Sequence, residues 1–229
     1  MKILSLVILA MAIAGCSSAS PTIQTGEEAE ISFDGLHRVD NARFLSSWAD
    51  PEIDFSRYTK FIPGGAEFQF RAVRESSGTT RARSSASEFW ISDADRERLV
   101  EETSAIFAEE LANSTRFEVT DTKGYDVIII RGALHDIVSN VPPDQIGRGD
   151  IFLSSVGEAT IVIEVVDSMS NEVIFRGAER RSAERQGQAI RSSSVSTWAE
   201  VRRLMRRWAS TLREGLDSIP GEGSIPGEG

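Results

Sequence analysis

Apolar positions follow three different patterns along the chain. Ile3 to Ile13 is an apolar run broken only by Ser5, with Lys2 before it and Ala14-Gly15-Cys16 after it. Further on, short apolar stretches bounded by turn residues predict strands over 58–71, 116–120, 125–138, 158–167 and 173–181. Pro63-Gly64-Gly65 breaks or bulges the first of these. Val127 to Ile130 is apolar on both faces, as a central strand requires.

Two stretches repeat every three or four residues instead. In the first, Leu99, Val100, Ile106, Phe107 and Leu111 share a face; Ser92 is a candidate N-cap, Asp93 and Asp95 favour the first turn, and Asn113 is a suitable stop. In the second, Trp198, Val201, Leu204, Met205, Trp208, Leu212 and Leu216 form a wide stripe, and Thr197-Trp198-Ala199-Glu200 reads as a capping box. Core packing accounts for the aromatic residues of this stripe. The order β-α-β-β-β-α predicts a single α+β domain over 34–217: an antiparallel or mixed sheet of about five strands, both amphipathic helices on one face. Phe33 to Phe55 reads as irregular structure over the core, and 72–88 and 140–155 as loops.

The N-terminal run is too short to span a membrane. Eleven helical residues reach roughly 16 Å, about half the hydrocarbon core. With a basic start and small residues before a cysteine, residues 1–15 read as a secretion signal. Ile13-Ala14-Gly15-Cys16 resembles the bacterial lipobox, which implies that Cys16 becomes the acylated N-terminus of the mature chain. Three acyl chains would hold the protein on a bilayer essentially permanently. Ser17 follows the cysteine where an aspartate could stand, and this implies an outer-membrane protein facing the periplasm. Residues 16–33 are rich in Ser, Thr, Gly and Glu and read as a flexible tether; 218–229 carry Ser-Ile-Pro-Gly-Glu-Gly twice and read as a disordered tail.

Composition narrows the chemistry. The 229 residues hold 35 acidic and 25 basic side chains, a net charge of -10 that argues against a nucleic-acid partner. One cysteine excludes an intramolecular disulfide and a multi-thiolate metal site, and two histidines, His37 and His135, leave little for a metal centre or triad. No metal or cofactor is expected. Charge is uneven: residues 17–130 hold 21 acidic and 12 basic side chains, residues 176–213 hold 3 and 10. Arg202, Arg203, Arg206 and Arg207 make a candidate interaction face, able to grip phosphates or carboxylates or else to pair with the Glu-rich first helix. Arg148-Gly149-Asp150 spells an adhesion tripeptide that recurs by chance, and no nucleophile or metalloprotease motif occurs.

Several segments in order resemble a bacterial lipoprotein family known only as domain of unknown function thirty-three thirteen. They are Asp34-Gly35-Leu36 with Phe44, Asp54-Phe55-Ser56-Arg57-Tyr58-Thr59-Lys60, Gly157-Glu158-Ala159-Thr160, Val166-Asp167-Ser168, and Arg206-Arg207-Trp208-Ala209 with Leu212. The turn Met169-Ser170-Asn171 departs from the family's Thr-Gly type. The resemblance implies an envelope lipoprotein with no assigned reaction or catalytic residue. The expectation is a non-enzymatic, periplasm-facing module that binds another envelope component: a protein, a lipid or peptidoglycan. The alternatives are a lipid or glycan carrier with an apolar pocket, and an envelope hydrolase with converging acids of strongly shifted pKa.

Overall fold

The computed structural model describes residues 20–73, 88–142, 152–184, 190–191 and 193–219. Cys16, Arg148-Gly149-Asp150 and the tail from residue 220 lie outside the described residues.

The chain enters the fold earlier than its composition predicts. β1 (Thr22–Ile23), β2 (His37–Asp40) and β3 (Ser46–Ala49) precede the first expected strand, and β1 pairs antiparallel with β2. Residues of the expected tether therefore lie on the sheet, with Ile23 only 3% exposed. These strands are two to four residues long, too short to show alternation, so neighbouring strands rather than propensity create them. β4 (Lys60–Phe70) is the expected broken strand: its register with the central strand shifts between Pro63 and Ala66, where Gly65 has φ +87°.

β5 (Glu118–Val119), β6 (Val127–Ser139), β8 (Gly157–Asp167) and β9 (Val173–Ser182) complete the main sheet, in the order β1-β2-β3-β9-β8-β6-β4-β5. The sheet has eight strands, where about five were expected. It is mixed, since β4 runs parallel to both β6 and β5 while β3, β9, β8 and β6 alternate. Inside the expected loop over 140–155, β7 (Phe152–Leu153) pairs with β10 (Ile190–Arg191) as a separate ribbon.

α1 (Asp93–Leu111) is capped by Ser92, as expected, but its buried stripe is Leu99, Thr103, Ile106 and Leu111. Val100 faces solvent. α2 (Ser194–Asp217) starts one turn before the expected box: the reciprocal cap joins Ser193 and Ser196, not Thr197 and Glu200. Glu200 is 1% exposed and pairs with Arg203, so burial claims the side chain that the capping pattern assigned to the helix start. The helices run parallel, side by side. Arg98 stacks on Trp198 at 4.1 Å, Arg202 meets Glu102 at 3.2 Å, and Arg213 meets Glu110 at 2.9 Å.

Both helices share one apolar cluster with alternate residues of the sheet, among them Leu134, Ile161, Ile163 and Val165. Trp208 lies at the centre, fully buried, and donates its Nε1–H to Glu179 at 2.9 Å. The intervening residues form the opposite face, which carries ion pairs: Asp34–Arg176–Glu164 on one side and Arg71–Asp136–Arg180–Glu158 on the other. No helix among the described residues is long and apolar enough to cross a membrane.

Candidate functional site

The helix pair does not seal its side of the sheet at either end. At the amino ends of both helices a cavity of about 390 Å³ opens against β6 and β8. Leu134, Ile137, Ala159, Trp198 and Leu204 make apolar walls, while Ser92, Ser139, Ser193 and Thr197 bring hydroxyls to the same cavity. The Thr197 Oγ1 is buried without a hydrogen-bond partner. An unsatisfied polar atom at an apolar wall is costly unless a ligand or water meets it.

A second cavity, of about 300 Å³, lies at the carboxyl end of α2. Phe55, Tyr58, Ile128 and Val165 contribute from the sheet side, Leu212 and Leu216 from the helix. Ser20 and Pro21, where the described chain begins, also line it. At its edge Arg43 pairs with Glu214 at 2.9 Å.

Behind this second cavity, two of the motifs singled out from the sequence meet. Asp54 caps the 3₁₀ turn Phe55–Arg57 by accepting from the Ser56 N–H at 2.9 Å, and the turn delivers Arg57 and Tyr58 to Asp167. The Tyr58 hydroxyl and the Arg57 guanidinium donate to one Asp167 oxygen at 2.7 and 2.6 Å; the Met169 and Ser170 N–H groups donate to the other, both at 2.8 Å. Burial and the bond to Asp167 push the Tyr58 phenol up to about 12. Burial also pushes the Asp167 carboxyl up, but the Ser170, Tyr58 and Met169 donors, with Arg57, hold it below its ordinary value. The cluster is a fully bonded brace. It ties the turn after β8 to the start of β4.

The four helix arginines divide. Arg202 pairs with Glu102 and Arg203 with Glu200, whereas Arg206 and Arg207 are exposed with no ion pair among the described residues. His135 lies on the ion-paired face, 2.9 Å from Gln69 Oε1, and His37 Nδ1 is 2.7 Å from the Gln24 carbonyl. No group of three or more metal-ligating side chains occurs among the described residues. Among the described residues, the carboxyls displaced from their ordinary pKa, namely Asp34, Asp54, Glu102, Asp126, Asp136, Asp167 and Asp217, are all lowered. Burial opposes this most at Glu102, Asp167 and Asp217, and hydrogen-bond donors and cations outweigh it at each. A general acid needs the opposite shift.

The cavities and the brace went unread in the sequence because each is assembled from residues far apart in the chain. The brace segments stood out only as separate pieces of the family resemblance, Asp54 to Lys60 and Val166-Asp167-Ser168, because Asp167 lies more than a hundred positions from Arg57 and Tyr58.

Among solved structures, the chain is similar to the PelC dodecamer of Paraburkholderia phytofirmans, at 11% identity and TM-score 0.34, covering 73% of this chain and 94% of that one. It is also similar to protein XCC0632 of Xanthomonas campestris, of family DUF330, at 8% identity and TM-score 0.38, covering 72% and 86%. A third is a putative neuraminyllactose-binding hemagglutinin homolog from Helicobacter pylori, at 8% identity and TM-score 0.32, covering 69% and 84%. No curated protein matches the sequence. The model of the family described as "Protein of unknown function (DUF3313)" matches residues 30–212, and the chain belongs to that family.

Proposed function

We infer that the protein is a periplasm-facing lipoprotein, held in the outer membrane by an acylated Cys16, whose domain binds an apolar component of the envelope without transforming it. The 390 Å³ cavity carries this reading. Its volume falls within the roughly 300–1,000 Å³ of small-molecule sites, and apolar walls with a few polar groups suit a molecule with an apolar body and a polar end. Ser92, Ser139 and Ser193 on the same lining supply the polar groups.

The test compares the detergent-purified mature protein with an Ala159→Phe variant, using displacement of a fluorescent fatty acid and native mass spectrometry of co-purifying lipid. Ala159 faces the cavity and is 5% exposed, so phenylalanine there occupies the space a ligand would take. The expected result is loss of binding in a variant that still unfolds cooperatively. Unchanged binding in that folded variant overturns the reading.

A second reading, capture of an anionic envelope partner, rests on exposed Arg206 and Arg207. Their guanidinium groups are free to meet phosphates or carboxylates.

A further inference from the structure

We propose that the smaller cavity, at the carboxyl end of α2, takes an acyl chain of the protein's own anchor on Cys16. This rests on the reading of Cys16 as acylated. The occupant follows from where the chain enters the fold. Ser20 and Pro21 line the cavity, and Cys16 stands four residues before Ser20, so the attachment point lies within about 14 Å of that position even along a fully extended backbone.

The surroundings fit a hydrocarbon chain. Phe55, Ile128, Val165, Leu212 and Leu216 offer aromatic and aliphatic surface, and the one buried hydroxyl among the sheet residues, on Tyr58, is already committed to Asp167. Of the other hydroxyls on its lining, those of Thr211 and Ser218 donate to helix carbonyls, of Arg207 and Gly215. The charged groups stand at the edge, where Arg43 and Glu214 pair with each other and are half exposed. Gly215 gives the wall its opening: a Cβ at this position would meet only Arg43 Cδ, at 3.7 Å. A volume of about 300 Å³ suits one chain rather than the whole anchor, so the remaining chains would stay in the bilayer. The inserted chain would turn the cavity mouth, and with it the carboxyl end of α2, toward the membrane.

The experiment uses the full-length lipoprotein made in cells fed a diazirine-bearing fatty acid, irradiated, purified and digested. Intact mass reports acylation of Cys16 separately from crosslink position. The expected result is an acylated chain with intramolecular crosslinks on Phe55, Leu212 or Leu216, lost to background in Gly215→Phe and retained in Gly215→Ala. An acylated, folded protein with crosslinks only to residues 17–21, or with none, overturns the proposal and leaves the lipoprotein reading intact. An unmodified Cys16 overturns both. Crosslinks that persist in a Cys16→Ser chain identify a free lipid as the occupant and overturn the assignment to the anchor.

Discussion

The two faces of the central sheet are made of alternate residues of the same strands, yet different forces hold them. Along β8, Ala159, Ile161, Ile163 and Val165 point at the helices and are 2–5% exposed, while Glu158 and Glu164 between them join arginines on β9. The helix-covered face gains from removing apolar area from water, about 25 cal/mol per Å². The other face consists of partly solvated ion pairs, each worth roughly 0–1 kcal/mol. Stability therefore resides mainly on the covered face, and change is cheapest on the ion-paired one.

The largest effect should come from Trp208. It is fully buried, and its Nε1–H satisfies Glu179, itself 3% exposed. Trp208→Ala should cost about 3–5 kcal/mol in urea unfolding. Trp208→Phe keeps much of the volume but leaves a buried carboxylate oxygen short of a donor, a loss of about 1–3 kcal/mol. If alanine cost no more than phenylalanine, the covered face would not be held by packing.

Gly157 comes next. An added Cβ would come within 2.4 Å of the Val138 carbonyl oxygen, a backbone atom that moves only with the β6–β8 pairing. Gly157→Ala should destabilise by about 1–3 kcal/mol, as overpacking does. A neutral result would mean that the sheet end yields freely.

The ion-paired face should respond to acid. Arg71, then Arg180, hold the Asp136 carboxyl well below its ordinary value, and the hydrogen bond from Arg176 lowers that of Asp34. A lowered folded-state pKa means that the unfolded chain takes up protons first, so this stability is full above the ordinary carboxylate value of 3.8 and drains away as pH falls through the folded values. Asp136→Asn should remove part of that acid dependence and cost under about 1 kcal/mol at neutral pH. Asparagine also tolerates the φ of +56° at this position. An unchanged acid profile in this variant would show that Asp136 does not contribute.

The sequence made these faces unequally legible. The long strands and α2 followed from period because burial alone selects their residues, as Trp198, Leu204, Met205, Trp208 and Leu212 all attest. The short strands β1, β2 and β3 did not, since Thr22–Ile23 and Ser46–Ala49 are strands only because β2 and β9 offer them partners. In α1 the buried Thr103 stands in the stripe and Val100 outside it, because α2 covers a narrower band than hydrophobicity marks. The arginine run was legible as charge, but which members were already paired depended on where α1 places Glu102.

That division sets the smallest expected effect on stability. Arg206 and Arg207 are exposed on α2 without an ion-pair partner among the described residues, so reversing both to glutamate should change unfolding free energy by no more than about 0.5 kcal/mol, as surface substitutions usually do. Arg202→Glu differs: it places a carboxylate against Glu102, where Arg202 now sits at 3.2 Å, and should loosen the helix pair. Crosslinking in intact cells then discriminates. If the arginine face grips an envelope partner, the Arg206→Glu, Arg207→Glu protein keeps its stability and loses its crosslinked species. If those species persist at wild-type level, the face is a solvated surface, and binding belongs to the cavities behind it.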